Sequence, residues 1–236
     1  MTSHNPDEMK ASQILQLISD LDSPQTAHRQ EAAASLKSMA DAAVPFLVEA
    51  LAHPSLKVRF AAGQILADSQ ADWKGLANSR IIQALVSDLT CPDGFNRLMA
   101  RRSLAYIGKS AVPELTLALQ SKEALSRWEA AKSLSQVGDA GATAALIKAL
   151  TDDVFDVRWL AAEGLIAIGR PALVPLLREV KKNSGSIWLR EGAHHILHDL
   201  NNEQISALIN PVLHALQDSD ATLQTPLLAQ RALNAL

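Results

Sequence analysis

The chain has 236 residues, a formal net charge of −3 and a pI near 6.2, so no global charge attracts it to nucleic acid or to an anionic membrane. Hydrophobic residues make up 48% of the chain and aromatic residues only 4%, which favours closely packed helices over strands. The single Cys91 excludes an internal disulfide and fits a reducing compartment.

The first predicted elements form an N-terminal helix pair. Residues 1–6 are expected to be disordered, and residues 7–21 form the first helix of a unit covering 7–40. A second unit covers 41–68 and is followed by an irregular insertion at 69–79, with the sequence SQADWKGLANS. Loops that interrupt a regular scaffold often carry function, so Trp73 could be a partner anchor. Alternatively, Trp73 folds back over the exposed edge of the helices.

The later units are more regular. They cover residues 79–108, 109–138, 139–169, 170–200 and 202–236. The stretch 151–180 shows the pattern most clearly, because Val157, Ala161 and Leu165 line one face of a helix that Gly169 should end. Two short helices joined by a Gly/Pro break cannot bury their apolar faces alone, so they must stack on copies of themselves.

An arginine marks the same position in six units. These arginines are Arg29, Arg59, Arg97, Arg127, Arg158 and Arg190, at intervals of 30, 38, 30, 31 and 32 residues. The residue three positions later is always alanine: Ala32, Ala62, Ala100, Ala130, Ala161 and Ala193. The residue seven positions later is always leucine: Leu36, Leu66, Leu104, Leu134, Leu165 and Leu197. The sequence therefore predicts a repeat array, in which the last unit has Pro226 in place of the arginine.

The string V-R-x-x-A-A-x-x-L-x-x-I-G at 157–169, with A-V-P-x-L-x-x-A-L at 111–119, resembles the HEAT repeat. The match is to the short bacterial form, the phycobilisome-lyase HEAT-like repeat. This resemblance implies an all-α fold, a right-handed α-solenoid of about seven HEAT-like helix pairs within a single domain, 7–236. It also implies an aspartate about six residues before each arginine. Only Asp152 fits, so an unbroken Asp–Arg ladder is not expected.

In the family's layout, the arginine-bearing helices line a concave groove. Their core positions lie one residue before the arginine and three, seven and ten after it, so positions one, five and eight after it point outwards. This predicts a partner-binding ridge of Phe60, Leu98, Trp128 and Trp159, beside the charged side chains Arg102, Lys132 and Glu163. The alternative is that the tryptophans tilt into the gaps between neighbouring repeats and belong to the core.

The main functional hypothesis is a non-enzymatic scaffold that binds another protein in this groove. Two rival hypotheses follow from the family resemblance: a bilin lyase subunit, and an alkylpurine DNA glycosylase that uses tryptophans around a damaged base. A weakly charged groove argues against nucleic acid, because phosphate contacts dominate affinity for duplex DNA. We identify no catalytic residue and no cofactor.

A histidine-rich segment of the sixth unit offers candidate metal ligands. The segment LREGAHHILHDL offers Glu191, His195, His198 and Asp199 as candidate metal ligands on one helix, although no second histidine cluster completes a site. His194 is expected to pack at a core position.

The apolar last helix could support a dimer. Because no apolar run approaches the roughly 20 residues that span a bilayer, and because the N-terminal sequence is unlike a signal peptide, we expect no membrane contact and a cytoplasmic location.

Overall fold

Helices dominate the computed structural model, which describes residues 6–69 and 71–236; no strand occurs in those ranges. Fourteen α-helices follow one another there as seven consecutive pairs. Residues 1–5, most of the segment predicted to be disordered, lie outside the described residues. Pro6 was wrongly placed in that segment: it begins the first helix, where the missing N–H of proline costs no hydrogen bond.

The chain divides into two compact units, residues 1–111 and residues 112–236, and the predicted single domain stays a prediction. Unit 1 contains α1 (Pro6–Asp20), α2 (Thr26–Ser38), α3 (Val44–Ala50), α4 (Leu56–Asp68), α5 (Ser79–Asp88) and α6 (Gly94–Ile107). Unit 2 contains α7 (Val112–Ala118), α8 (Ala124–Val137), α9 (Thr143–Ala149), α10 (Phe155–Ile168), α11 (Leu173–Lys182), α12 (Ile187–Leu200), α13 (Ser206–Gln217) and α14 (Ala221–Ala235).

The second helices of successive pairs pack side by side within each unit. In unit 1, α4 lies between α2 and α6, and in unit 2, α10 lies between α8 and α12. Each of these helices also packs against the first helix of its own pair. The fold is therefore an all-α array of helix pairs, as the sequence predicts.

The core consists of the repeated alanine and leucine positions. All six alanines three residues after the marker arginine, and all six leucines seven residues after it, are buried. The position before the arginine was predicted less well: Val58, Val157 and Leu189 are buried, but His28 is exposed and Ser126 is half-buried. A polar side chain there remains near solvent, because burying it without a partner costs free energy.

Two glycines shape α10 and its surroundings. Gly169 ends α10, as predicted, with φ +77° and ψ −141°, a positive-φ conformation that lies outside the left-handed helical region. Gly164 allows α9 to approach α10 closely, because a Cβ atom added at Gly164 would lie 2.9 Å from Leu146 Cδ1.

The last pair packs differently from the others. In this pair α13 lies against α12 and α14 lies against α11, whereas the other second helices within each unit pack on second helices. Pro226 replaces the marker arginine in α14, so the bonds described below are lost there. The arrangement leaves Leu223 and Leu227 exposed one turn apart on α14.

Within the described ranges, no single helix combines the length and the apolar composition needed to cross a membrane. Helices α10 and α11 reach that composition only as a pair, bent by 117° at the break between them.

Candidate protein-binding surface

The marker arginines fix the loops between paired helices. In all six cases Nη1 donates to the carbonyl oxygen of the residue six positions earlier, at 2.6–3.1 Å. Five of them also donate to the carbonyl of the next residue. Charge-assisted bonds to otherwise unsatisfied carbonyls stabilise a tight turn. The arginines are therefore structural, and their recurrence reflects the fold rather than a site.

Two of the arginines also bind a carboxylate of the following pair. Arg59 forms a bidentate pair with Asp88, at 2.7 and 2.6 Å, and Arg127 forms one with Asp152, at 2.7 and 3.0 Å. Asp88 lies nine residues before Arg97, not six, so the spacing rule missed it. Burial raises the pKa of Asp152, but hydrogen bonds, first from the Arg127 guanidinium, outweigh this effect and hold the pKa below its ordinary value.

The positions predicted to point outwards are all at least partly exposed. Of the predicted ridge, Phe60 and Leu98 belong to unit 1 and are half-buried. Trp128 and Trp159 belong to unit 2, where Trp128 is half-buried and Trp159 is exposed. Among the predicted charged neighbours, Arg102 is exposed, whereas Lys132 and Glu163 are half-buried. Trp159 therefore does not belong to the core, and a role for the ridge in binding stays a prediction.

Trp159 is held in place by a histidine from the next repeat. Its ring stacks on the imidazole of His195 with centroids 4.7 Å apart and an interplanar angle of 18°. Glu163, one turn after Trp159, lies 3.0 Å from His195 Nε2. This arrangement joins α10 to α12 and fixes the orientation of an indole ring that remains 49% exposed.

Arg158 joins two further aromatic rings on the same two helices. Its guanidinium carbon lies 4.6 Å from the ring centroid of Trp188 in α12 and 5.5 Å from that of Phe155 in α10. Both rings remain open to solvent, Phe155 at 63% and Trp188 at 42%. Cation–π contacts of this kind hold rings in fixed positions without burying them. We call Phe155, Arg158, Trp159 and Trp188 the aromatic cluster.

Comparison with protein families accounts for the repeats. Residues 80–165 match the family described as HEAT repeats, and residues 29–53 match the PBS lyase HEAT-like repeat. Residues 80–165 therefore contain HEAT repeats. The resemblance predicted from the arginine, alanine and leucine spacing is confirmed.

Three solved engineered proteins are similar to this chain. The first has 23% sequence identity and a TM-score of 0.43, and the match covers 79% of this chain and 96% of the engineered one. The second has 22% identity and a TM-score of 0.45, and the match covers 97% of this chain and 70% of the engineered one. The third has 24% identity and a TM-score of 0.34, with 94% and 97% covered. No curated protein matches the chain.

Sequence reasoning missed a recurring group of exposed apolar residues. Four of them lie two or three positions before a marker arginine: Phe95, Leu125, Phe155 and Trp188. Ile187, also three positions before its arginine, is equally open. These positions fall in the first turn of the second helix, beyond the face that the core repeat defines. One sequence signal could have identified these residues. Large apolar residues recur two or three positions before the marker arginine, where the core pattern does not require them.

The insertion after the second repeat has a structural role. Trp73 is only 2% exposed and stacks on Tyr106 with ring centroids 4.6 Å apart. The Tyr106 hydroxyl donates to the Ala71 carbonyl at 2.9 Å. Of the two predictions for Trp73, the one in which it folds back onto the helices is therefore confirmed.

The candidate metal ligands do not converge. His195 pairs with Glu163, and His198 lies 3.2 Å from Asp199 on the same helix. In the part of the chain that the structure describes, no group of three or more such side chains is placed to hold a metal ion. His194 is half-buried, and burial, together with the neighbouring histidines, lowers its pKa.

Proposed function

We propose that this protein is a non-enzymatic scaffold that binds another protein through the aromatic cluster of unit 2. The observation that carries this proposal is that three large rings, Phe155, Trp159 and Trp188, remain open to solvent while Arg158 and His195 fix their positions. Aromatic anchors held in one orientation lose little entropy on binding, which is typical of interface hot spots.

The exposed area of the cluster is large enough to matter. With about 200 Å² for a phenylalanine and about 250 Å² for a tryptophan, the three rings leave roughly 350 Å² open. This falls in the range of the largest apolar patches on monomeric proteins, which are often functional. Covering it would contribute about 9 kcal/mol at ~25 cal/mol per Å². Association costs of about 4–15 kcal/mol offset that gain, so further contacts are needed.

Neighbouring helices extend the surface beyond the cluster. Leu125 lies in the first turn of α8, and Ile187 is the first residue of α12, and both are exposed. Because α8, α10 and α12 pack side by side, these first turns form adjacent parts of unit 2. A helix or an extended segment of a partner could cover them in succession.

A comparison of two proteins in affinity capture tests the proposal. Wild type and the double variant Trp159→Ala/Trp188→Ala are each immobilised and exposed to native cell extract, and bound proteins are measured by quantitative mass spectrometry. We expect a protein that wild type retains and the double variant loses, while helical circular dichroism is unchanged. Leu117→Ala, which removes an exposed leucine from α7, is the matched control and should retain the partner. Equal capture by wild type and the double variant would refute the proposal.

One observation keeps the bilin hypothesis as a second candidate. Residues 29–53 match a repeat family named for a phycobilisome lyase, and aromatic pockets suit open-chain tetrapyrroles. That match is 25 residues long and lies in unit 1, whereas the aromatic cluster lies in unit 2. Mixing the protein with a bilin and recording the visible absorbance of the bilin separates the lyase hypothesis from the scaffold hypothesis. A shifted bilin spectrum that the double variant loses would favour the lyase-related function.

A further inference from the structure

The aromatic cluster lies among exposed carboxylates. Asp156 follows Phe155 in α10 and lies one turn before Trp159, and Glu191 lies one turn after Trp188 in α12. Residues three apart on a helix are neighbours on its surface. Both carboxylates are exposed, and neither forms an ion pair with any residue that the structure describes.

The arginines beside the cluster on its own two helices are already engaged. Arg190, two residues after Trp188, donates to the Ser184 carbonyl at 2.6 Å. Arg158 donates to the carbonyls of Asp152 and Asp153 while it lies over two rings of the cluster. Arg127 is held by the carboxylates of the same two aspartates. Lys132, further along α8, is half-buried. On α10 and α12 the exposed carboxylates are Asp156, Glu191 and Asp199, whereas the arginines of these helices, Arg158 and Arg190, are half-buried. The exposed charge beside the rings on these two helices is therefore negative.

We infer that the segment bound by the aromatic cluster carries Lys or Arg side chains beside its apolar residues. This inference rests on the proposed function, since it specifies the chemistry of the partner at the same surface. The apolar area only offsets the cost of association, so complementary charge supplies the remaining selectivity and speeds encounter. The long stems of Lys and Arg also cover apolar rings while their cationic ends reach Asp156 and Glu191.

The same charges disfavour a nucleic acid as the occupant. Exposed bases could stack on Trp159 and Trp188, but their phosphates would lie near Asp156 and Glu191. Binding of single-stranded nucleic acid depends on cations that neutralise those phosphates. The engaged arginines are not available for that purpose.

Peptide selection on the full chain tests the inference. A displayed library of random linear peptides is selected on wild type and depleted on Trp159→Ala/Trp188→Ala. We expect the surviving peptides to combine Lys or Arg with aromatic or aliphatic residues. A peptide from this set should bind Asp156→Asn/Glu191→Gln about fivefold more weakly than wild type, since each exposed ion pair contributes modestly. Higher salt should reduce that difference.

A matched control and two further outcomes complete the test. Glu8→Gln/Glu31→Gln changes the net charge equally at two exposed carboxylates of unit 1, on α1 and α2, and its affinity should stay within about twofold of wild type. Surviving peptides that need both tryptophans but are neutral or acidic would overturn the inference and leave the scaffold proposal standing. If no peptide depends on the tryptophans, or if a single-stranded oligonucleotide binds through them, both the inference and the scaffold proposal are overturned.

Discussion

Replacing Arg59 with glutamine should destabilise the protein by about 3 kcal/mol. The change removes the bidentate bond to Asp88 and the bonds of Nη1 to the carbonyls of His53 and Pro54. The side chain of Asp88 is only 10% exposed, so its carboxylate would remain largely buried without its guanidinium partner. Breaking a buried pair in this way costs about 3–5 kcal/mol, and the residual exposure places this case at the low end. For a chain of this length, Tm should fall by roughly 6–12 °C.

Urea denaturation followed by circular dichroism measures this loss, and Arg29→Gln is the matched control. Arg29 makes the equivalent bonds to the carbonyls of Ser23 and Pro24, with a further one to the Thr26 hydroxyl, so its replacement should cost about 1 kcal/mol. Adding Asp88→Asn to Arg59→Gln removes the uncompensated charge and should recover about 1–2 kcal/mol. If Arg59→Gln costs no more than Arg29→Gln, the role assigned to the buried pair is wrong.

Three further predictions concern other parts of the fold. The pKa of His194 is lowered in the folded protein, so the free energy of unfolding should fall as the pH drops below about 6.5. Urea titrations at several pH values should show this fall in wild type, and the fall should be smaller in His194→Gln. Gly164→Ala should cost about 1–2 kcal/mol, since its Cβ would press on the fully buried Leu146, whereas Gly185→Ala, with open space around it, should be near neutral in the same assay. Trp73→Ala should lower the free energy of unfolding by about 3–5 kcal/mol but should leave partner capture unchanged at a temperature where the variant stays folded.

The fold could be predicted from the sequence because its determinants are local and repeated. An alanine three residues after the arginine and a leucine seven after it lie on the same helical face, so their spacing alone identifies the buried side of each second helix. The crossed packing of α13 and α14 could not be predicted in this way. It depends on which helices meet in space, and Pro226 indicates only that the last unit is atypical.

The candidate surface was predictable only in part. Trp159 was identified because it lies one residue after its arginine, on the outward side of a helix whose core face was known. Phe155 and Trp188 were missed because they lie in first turns, where their exposure is set by the neighbouring helix rather than by the repeat. The contact between Arg158 and Trp188 joins two repeats, and no periodicity within one repeat encodes it.

Site-specific photo-crosslinking tests the central claim most directly. A photoreactive phenylalanine analogue placed at Phe155 should form a discrete adduct with one partner protein in the native cells, because this position is open and lies within the aromatic cluster. The same analogue at Leu117, which is equally exposed on α7, should not form that adduct. The absence of an adduct at Phe155, or the same adduct from both positions, would contradict the claim that unit 2 binds a protein through its aromatic cluster.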